Sequence, residues 1–578
     1  MLKFANRTCL AVLASLFLVV AGCGKKEAAT PFTDTEGLLR YVPADTPYFF
    51  GTLKPSPEEV FDKFEPAIQE MLVSYGDMLA ALEEMLEDAE EAQSEEEAAE
   101  REMVLALLRG LRPLMSPDAY KAAGFSRESL AIIYGNGLLP VMRLTVSDSD
   151  MLDAWVAEVE TEAGGEFAIG TVRDKSYRYF DAEEVRIIVG TFDNQFILTF
   201  MPLGFSDDQL AELLGLTLPA ENLADTEKLH EIADEYDYLA EFIGFMDMEL
   251  LADTFVDTPS GLNAGLLEMM EYDAGTISDV CQAELSGLAA TMPRMVMGYE
   301  GISAERIDSS LVVEIRDDLA NGLSAIPAAV PGLGRAFDGL FSFGLSVDLK
   351  AAREFYAARI EALENDPFQC ELLHELQDSV VAGREALNQP VPPVVYDFKG
   401  FLAVVNDIEG FSAAQQKPPE SVDGSLLVAM ENAQGLLALG QMVSPELYEM
   451  DIQPDGKPHF VELQAATAAG IESAWIALTD DALAISVSED GDVRLPELLA
   501  AESMSPSPFI SINMDAAPNY TLVAESMDAA PADGETEQFQ AAMSEMMVDI
   551  GSLYDRFMVD VHFTARGIEV SMDTTFAN

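Results

Sequence analysis

The chain has 578 residues, with 102 Asp and Glu against 32 Lys and Arg, a formal net charge of −70 and a hydrophobic content of 49%. So much apolar side chain excludes a wholly disordered acidic tail, because burying it offsets the entropy lost on ordering the chain. The sparse, dispersed basic residues exclude a nucleic-acid surface, which needs concentrated positive charge against phosphates.

In chain order, the first feature is a leader. Lys3 and Arg7 precede the apolar run Leu10 to Val20, and VAGC then ends at Cys23. The run is shorter than the roughly 20 residues of a bilayer span, and no stop-transfer pattern follows it. It is therefore read as a segment that is removed. These residues resemble the lipobox of bacterial lipoproteins. The resemblance implies a signal peptide over residues 1–22, cleavage just before Cys23, lipidation of the Cys23 thiol by a diacylglyceryl group, and acylation of the new amino terminus. Residues 23–37 then form a tether. In Gram-negative members the residue after the cysteine influences sorting. Here it is Gly24, not the aspartate typical of inner-membrane retention, so the resemblance implies the periplasmic face of the outer membrane. A membrane is the expected partner through the lipid anchor, and an envelope protein is a second candidate. The stretch PADTP at Pro43 to Pro47, with the strand and helix repetition below, also resembles a loose class of uncharacterised periplasmic lipoproteins and implies no activity.

After the tether, an apolar strand is predicted at Tyr48 to Phe50, and SPEEVFDKFEP begins a helix with Ser56 at its cap, Pro57 in its first turn and Glu58 and Glu59 at its positive end. Helical spacing continues to residue 110, interrupted by the acidic run Asp88 to Glu102. Like charges repel, so that run is read as solvated; it lacks the alternating oxygen spacing of a calcium loop. From Leu130, LAIIYGNG, LPVMRLTVS and DSDMLDAWVAEVE read as two strands and a helix with Ser149 or Asp150 near the cap. The same device recurs at FSFGLSVDLKAAREF, with Asp348 at the junction, and at SLLVAMENAQGLLALG, with Asn432 there.

A longer pattern also occurs twice. VRIIVGT, Asp193-Asn194, FILTF, the helix DQLAELLG and the strand YLAEFIGFMD answer SAWIALT, Asp480-Asp481, ALAISV, RLPELLA and PFISINMD. The chain closes with an alternating hairpin in which Val559, Val561 and Phe563 oppose Ile568, Val570 and Met572, with Asp560 and His562 on the outer, solvated face. The expected fold is thus α+β, with repeated strand-strand-helix modules, antiparallel sheets and an N-terminal helical insertion at about residues 56–118. Pro-rich NQPVPP at 388–393 marks a break. The expected domains are 38–260, 261–388 and 389–578.

Four cysteines occur in the chain. With Cys9 in the leader and Cys23 lipidated, Cys281 and Cys370 remain, and an even pair in an oxidising compartment reads as a disulfide. His230, His374, His459 and His562 lie far apart and lack HExxH or other close zinc spacing. No phosphate-binding glycine loop and no GxSxG elbow occurs, and acidic pairs such as Asp247/Glu249 and Asp253/Asp257 are expected by composition alone. The 27 methionines are read as core filling. No catalytic residue, metal or cofactor is assigned. The expected function is an outer-membrane-anchored binding or scaffold lipoprotein; the alternatives are an envelope hydrolase using dispersed Asp, Ser or His residues, and a carrier of lipid or hydrophobic peptide.

Overall fold

A computed structural model describes Phe32 and residues 37–577, apart from 89–100, 102–103, 106–107, 111–114, 117–118, 163–166, 183, 258–259, 273–276, 411–418, 449, 463–472 and 530–536. The chain divides into two compact units. The first holds residues up to Ile277, with Arg294–Ser309 and Ala532–Leu553; the second holds Ser278–Pro293, Ser310–Pro531 and Tyr554–Asn578. The sequence led to three consecutive domains, whereas these units are discontinuous. The helix Asp279–Ala289 belongs with the second unit although the strand after it belongs to the first, and Glu537–Leu553 belongs with the first although the strand after it belongs to the second.

The strands of the first unit are β1 (Tyr48–Gly51), β2 (Ala131–Asn136), β3 (Leu139–Thr145), β4 (Ala168–Val172), β5 (Lys175–Ala182), β6 (Val185–Phe192), β7 (Gln195–Pro202), β8 (Ile243–Asp247) and β9 (Arg294–Ile302). They pair antiparallel in the spatial order β4-β5-β6-β7-β3-β2-β1-β8-β9. Asp193 and Asn194 join β6 to β7 with φ of 52° and 57°. Two consecutive left-handed residues make the turn whose twist suits a hairpin, and short polar side chains tolerate that conformation. On the inner face Phe49, Ile132, Ile243, Phe245 and Val296 are buried, with the Phe49 and Phe245 rings 6.2 Å apart. A separate helical core joins Glu58–Asp88 to Glu537–Leu553 through Leu72, Met78, Leu79 and Met546. Its edge is tied by Ser74, whose hydroxyl donates to Asp549 at 2.5 Å.

β10 (Arg306–Glu314) begins in the first unit and ends in the second. The remaining strands are β11 (Phe341–Ser346), β12 (Phe398–Glu409), β13 (Ser421–Met430), β14 (His459–Glu462), β15 (Ser473–Leu478), β16 (Ala482–Ser486), β17 (Ile510–Asp515), β18 (Tyr554–Phe563) and β19 (Gly567–Phe576). Their order is β14-β15-β16-β13-β12-β11-β17-β18-β19, again antiparallel throughout. The architecture is α+β with antiparallel sheets, as expected. The terminal hairpin has the expected register, with Val559 opposite Met572, Val561 opposite Val570 and Phe563 opposite Ile568.

Helix starts follow capping chemistry. The Asp348 carboxylate accepts from the Lys350 and Ala351 amides, each at 3.0 Å, and Asn432 accepts from the Gly435 amide. In the first unit the cap lies one residue earlier than read from the sequence: Asp148 accepts from the Asp150 and Met151 amides at 3.0 and 3.2 Å. A carboxylate one residue upstream reaches both orphan amides, which Ser149 inside the first turn cannot do. Lys399 donates to Asp348 at 2.7 Å. Burial alone would raise the Asp348 carboxyl, but Lys399 and the two amides hold it below the ordinary carboxylate range.

Cys281 and Cys370 are joined within the second unit, with their sulfurs 2.07 Å apart. Beside them Glu284 accepts from the Gln369 amide at 2.9 and 3.1 Å and from the Cys370 amide at 2.9 Å.

Candidate functional site

In the second unit's sheet, β11 and β17 put small polar side chains or glycine on one face and large apolar ones on the other. On one face lies the aliphatic core of Val330, Leu333, Leu402, Val404, Leu427 and Leu495. Toward β11, β17 and β18 the same face is carried on by small polar residues, and Ser342, Ser346, Ser511, Asn513 and Asp560 are all buried. Ser346 and Asn513 find partners in backbone carbonyls from elsewhere in the chain. Ser346 donates to the Pro508 carbonyl at 2.6 Å, and the Asn513 side chain and Arg556 both donate to the Phe337 carbonyl, at 3.4 and 2.8 Å. Arg556 also donates to Asn513 Oδ1 at 3.1 Å, and Asn519 donates to the Leu340 carbonyl at 2.6 Å. The 326–340 segment is thereby latched over that face.

The other face carries the large apolar side chains. Cross-strand neighbours Leu426, Ala403, Phe343, Ile512, Val559 and Met572 form one row across β13, β12, β11, β17, β18 and β19. Val428, Phe401, Leu345, Ile510, Val561 and Val570 form the next. No residue in either row is charged. Phe343 is 39% exposed, Leu426 40% and Ile512 42%, and the Phe343 and Phe401 rings lie 5.7 Å apart. A continuous apolar patch on a soluble surface marks a place where something binds. This one lies on a chain whose net charge is −70.

That arrangement corrects the reading of the terminal hairpin. Asp560 was expected outside and is buried, whereas Val559 and Val561 beside it are only partly covered. Strict alternation tells which residues share a face, and the usual inference that the larger apolar set faces the core fails here. Sequence reasoning missed the candidate site for the same reason. The available signal was that FSFGLS and ISINMD put Ser, Gly and Asn, too small to build a core layer, on one side and Phe, Leu and Ile on the other.

Asp560 lies next to Ser511 across the strands and near His562 on its own strand. Its carboxyl is pushed up by burial, opposed by the Ser511 hydrogen bond and by the nearby His562. Glu569 faces His562 across the hairpin; burial raises its carboxyl, but Arg566 and Thr564 bonding to it hold it below the ordinary range. Because the native state holds the Asp560 proton more tightly than the unfolded chain, this group's contribution to stability falls as pH rises from the ordinary Asp value through its raised one. Asp560→Asn is expected to stabilise the second unit near neutrality by about 1 kcal/mol, the scale of a buried polar atom left without a partner. Urea unfolding at about pH 7 and about pH 4 checks this: the advantage should shrink at the lower pH, and a variant less stable at both would refute it.

Other sequence-singled residues do not converge. His230 stands 3.5 Å from Asp234 on its own helix, His374 is exposed at a helix start, and His459 opens β14. Asp247 caps the helix Met248–Val256 and pairs with Lys228 at 2.9 Å. Among the described residues, no group of three or more His, Cys, Asp or Glu could hold a metal ion, and no helix is long and apolar enough to cross a membrane. The buried Arg143 donates to the Tyr134 hydroxyl at 3.0 Å and to Gln195 at 3.1 Å, with the Tyr41 ring 4.1 Å away. A Cβ on Gly215 would lie 2.3 Å from its outer nitrogen, so that space is filled by the chain. Cys23 and, apart from Asp88 and Arg101, the acidic run Asp88 to Glu102 lie outside the described residues. Comparison with protein families, with curated proteins and with solved structures gives no match.

Proposed function

We propose that the protein is a lipid-anchored binding protein of the cell envelope, held by Cys23 at the periplasmic face of the outer membrane, whose second unit offers an apolar sheet face to a hydrophobic ligand. The observation that carries the binding role is the inverted sheet, with Ser511 and Asn513 buried while Phe343 and Ile512 stand 39% and 42% exposed. Exposing large apolar side chains while burying small polar ones gives up hydrophobic stabilisation, and a binding role accounts for that loss. The VAGC sequence supports the anchor. Several acyl chains on one residue hold a protein firmly, since one chain alone binds only reversibly.

The two units are, on this reading, copies of one module. Supporting it, β6, β7, β3, β2, β1, β8 and β9 neighbour one another in the same sequence as β15, β16, β13, β12, β11, β17 and β18. β8 and β17 both end in Met-Asp, and in each case the Asp stands at the cap of the next helix. A duplicated scaffold with one specialised face suits binding more than chemistry.

Cys23→Ala tests the anchor. The native chain should stay with membranes through a carbonate wash and the variant should appear in the soluble fraction. A variant that still resists the wash would sink the anchor assignment.

A further inference from the structure

We infer that the apolar face around Phe343 and Ile512 holds an acyl chain of a membrane phospholipid; this deepens the binding reading above and rests on it. The chemistry of the face selects among occupants. Neither row contains a charged side chain or a side-chain hydrogen-bonding group, and the backbone of β11 and β17 is paired on both sides, with β12 and β18 as their outer neighbours. An extended peptide laid there would bury its own N–H and C=O groups without partners, which is costly. A hydrocarbon chain has no such groups. A second copy of this chain would bring another net charge of −70 against the first, and the repulsion opposes that pairing.

Dimensions agree. Strands stand about 4.8 Å apart, so the row from Leu426 to Met572 runs for about 24 Å. The hydrocarbon core of a bilayer is about 30 Å thick, so one acyl chain extends about 15 Å and fits along that row. The adjacent row through Phe401 and Ile510 lies about 7 Å away and is half-buried, so it borders the chain on one side. The negative exterior favours a headgroup without net charge.

The test uses the full chain carrying Cys23→Ala, so that its own lipid cannot mediate contact. It is incubated with phosphatidylcholine vesicles containing a self-quenched fluorescent diacyl lipid, and protein is then separated from vesicles by size. Fluorescence should rise and lipid should travel with the protein to a saturating ratio. Phe343→Ser and Ile512→Asn, both at exposed positions, should each lower capture about tenfold, consistent with loss of apolar contact area, while leaving circular dichroism unchanged and the unfolding transition in urea cooperative. Val493→Ser, at an exposed apolar position on the helix Gly491–Ala500, which packs on the opposite face of the sheet, should capture as the parent does.

Lipid that stays in the vesicles overturns the proposal, as does equal capture by all three variants. A chain that floats with the vesicles points to bilayer docking, and a dimer dispersed by Ile512→Asn points to a second copy; either also overturns it. Capture of an apolar peptide in place of lipid would leave the binding reading standing and remove this one. Membrane retention of Cys23→Ala in cells, with lipid capture intact, would remove the anchor alone.

Discussion

Cys370→Ala, or reduction of the native chain, is expected to destabilise the second unit by about 4 kcal/mol, because the bond closes a loop with a sequence separation of 89 and a long loop gains much entropy when freed in the unfolded state. The local consequence is larger still. The helix Asp279–Ala289 has no buried residue, so hydrophobic burial does little to hold it. Glu284 clamps the Gln369 and Cys370 amides, but charge-assisted bonds at an exposed site contribute little beside a covalent link. Urea unfolding with and without a thiol reductant should show a lower midpoint for the reduced chain. Hydrogen exchange under native conditions should show residues 279–289 losing protection before the β11 to β18 sheet does. An unchanged midpoint, with both thiols open to alkylation beforehand, would show that no disulfide supports the fold.

The second large effect separates two adjacent leucines. Leu427 is fully buried in the aliphatic core of the second unit, and Leu427→Ala should cost about 3 kcal/mol through lost transfer energy and the cavity left among Leu402, Leu495 and their neighbours. Leu426, next in the chain and on the opposite face, is 40% exposed. Leu426→Ala should cost under about 1 kcal/mol, since much of that side chain meets water already. Parallel urea titrations decide the matter. Equal costs would mean that both faces of β13 are packed to the same extent, and the apolar face would lose its standing as a binding surface.

Local pattern was legible where local physics decides it. Alternation placed Val559, Val561 and Phe563 on one face and set the register of the last hairpin, because a one-residue slip would turn every side chain over. Asp348 and Asn432 were legible as junction residues because a short polar side chain before an apolar run satisfies amides that the helix leaves free. The direction of burial was not legible. Whether Asp560 or Val559 turns inward depends on the 326–340 segment, far away in sequence, lying over the Asp560 side and supplying the Phe337 and Leu340 carbonyls as acceptors. Membership of the compact units was not legible either. Nothing within Asp279–Ala289 tells that it joins the second unit, since its partner at Cys370 lies 89 residues on.

The helix Glu537–Leu553 places Met546 in a core otherwise made by residues from Leu72 to Met115. The order of synthesis therefore matters. A ribosome finishes most of the first unit's strands early, yet that unit's helical core stays open until residue 546 has emerged, long after Met115. Chains truncated anywhere before that point would present Leu72, Leu79 and Leu108 uncovered, which makes late truncations as aggregation-prone as early ones.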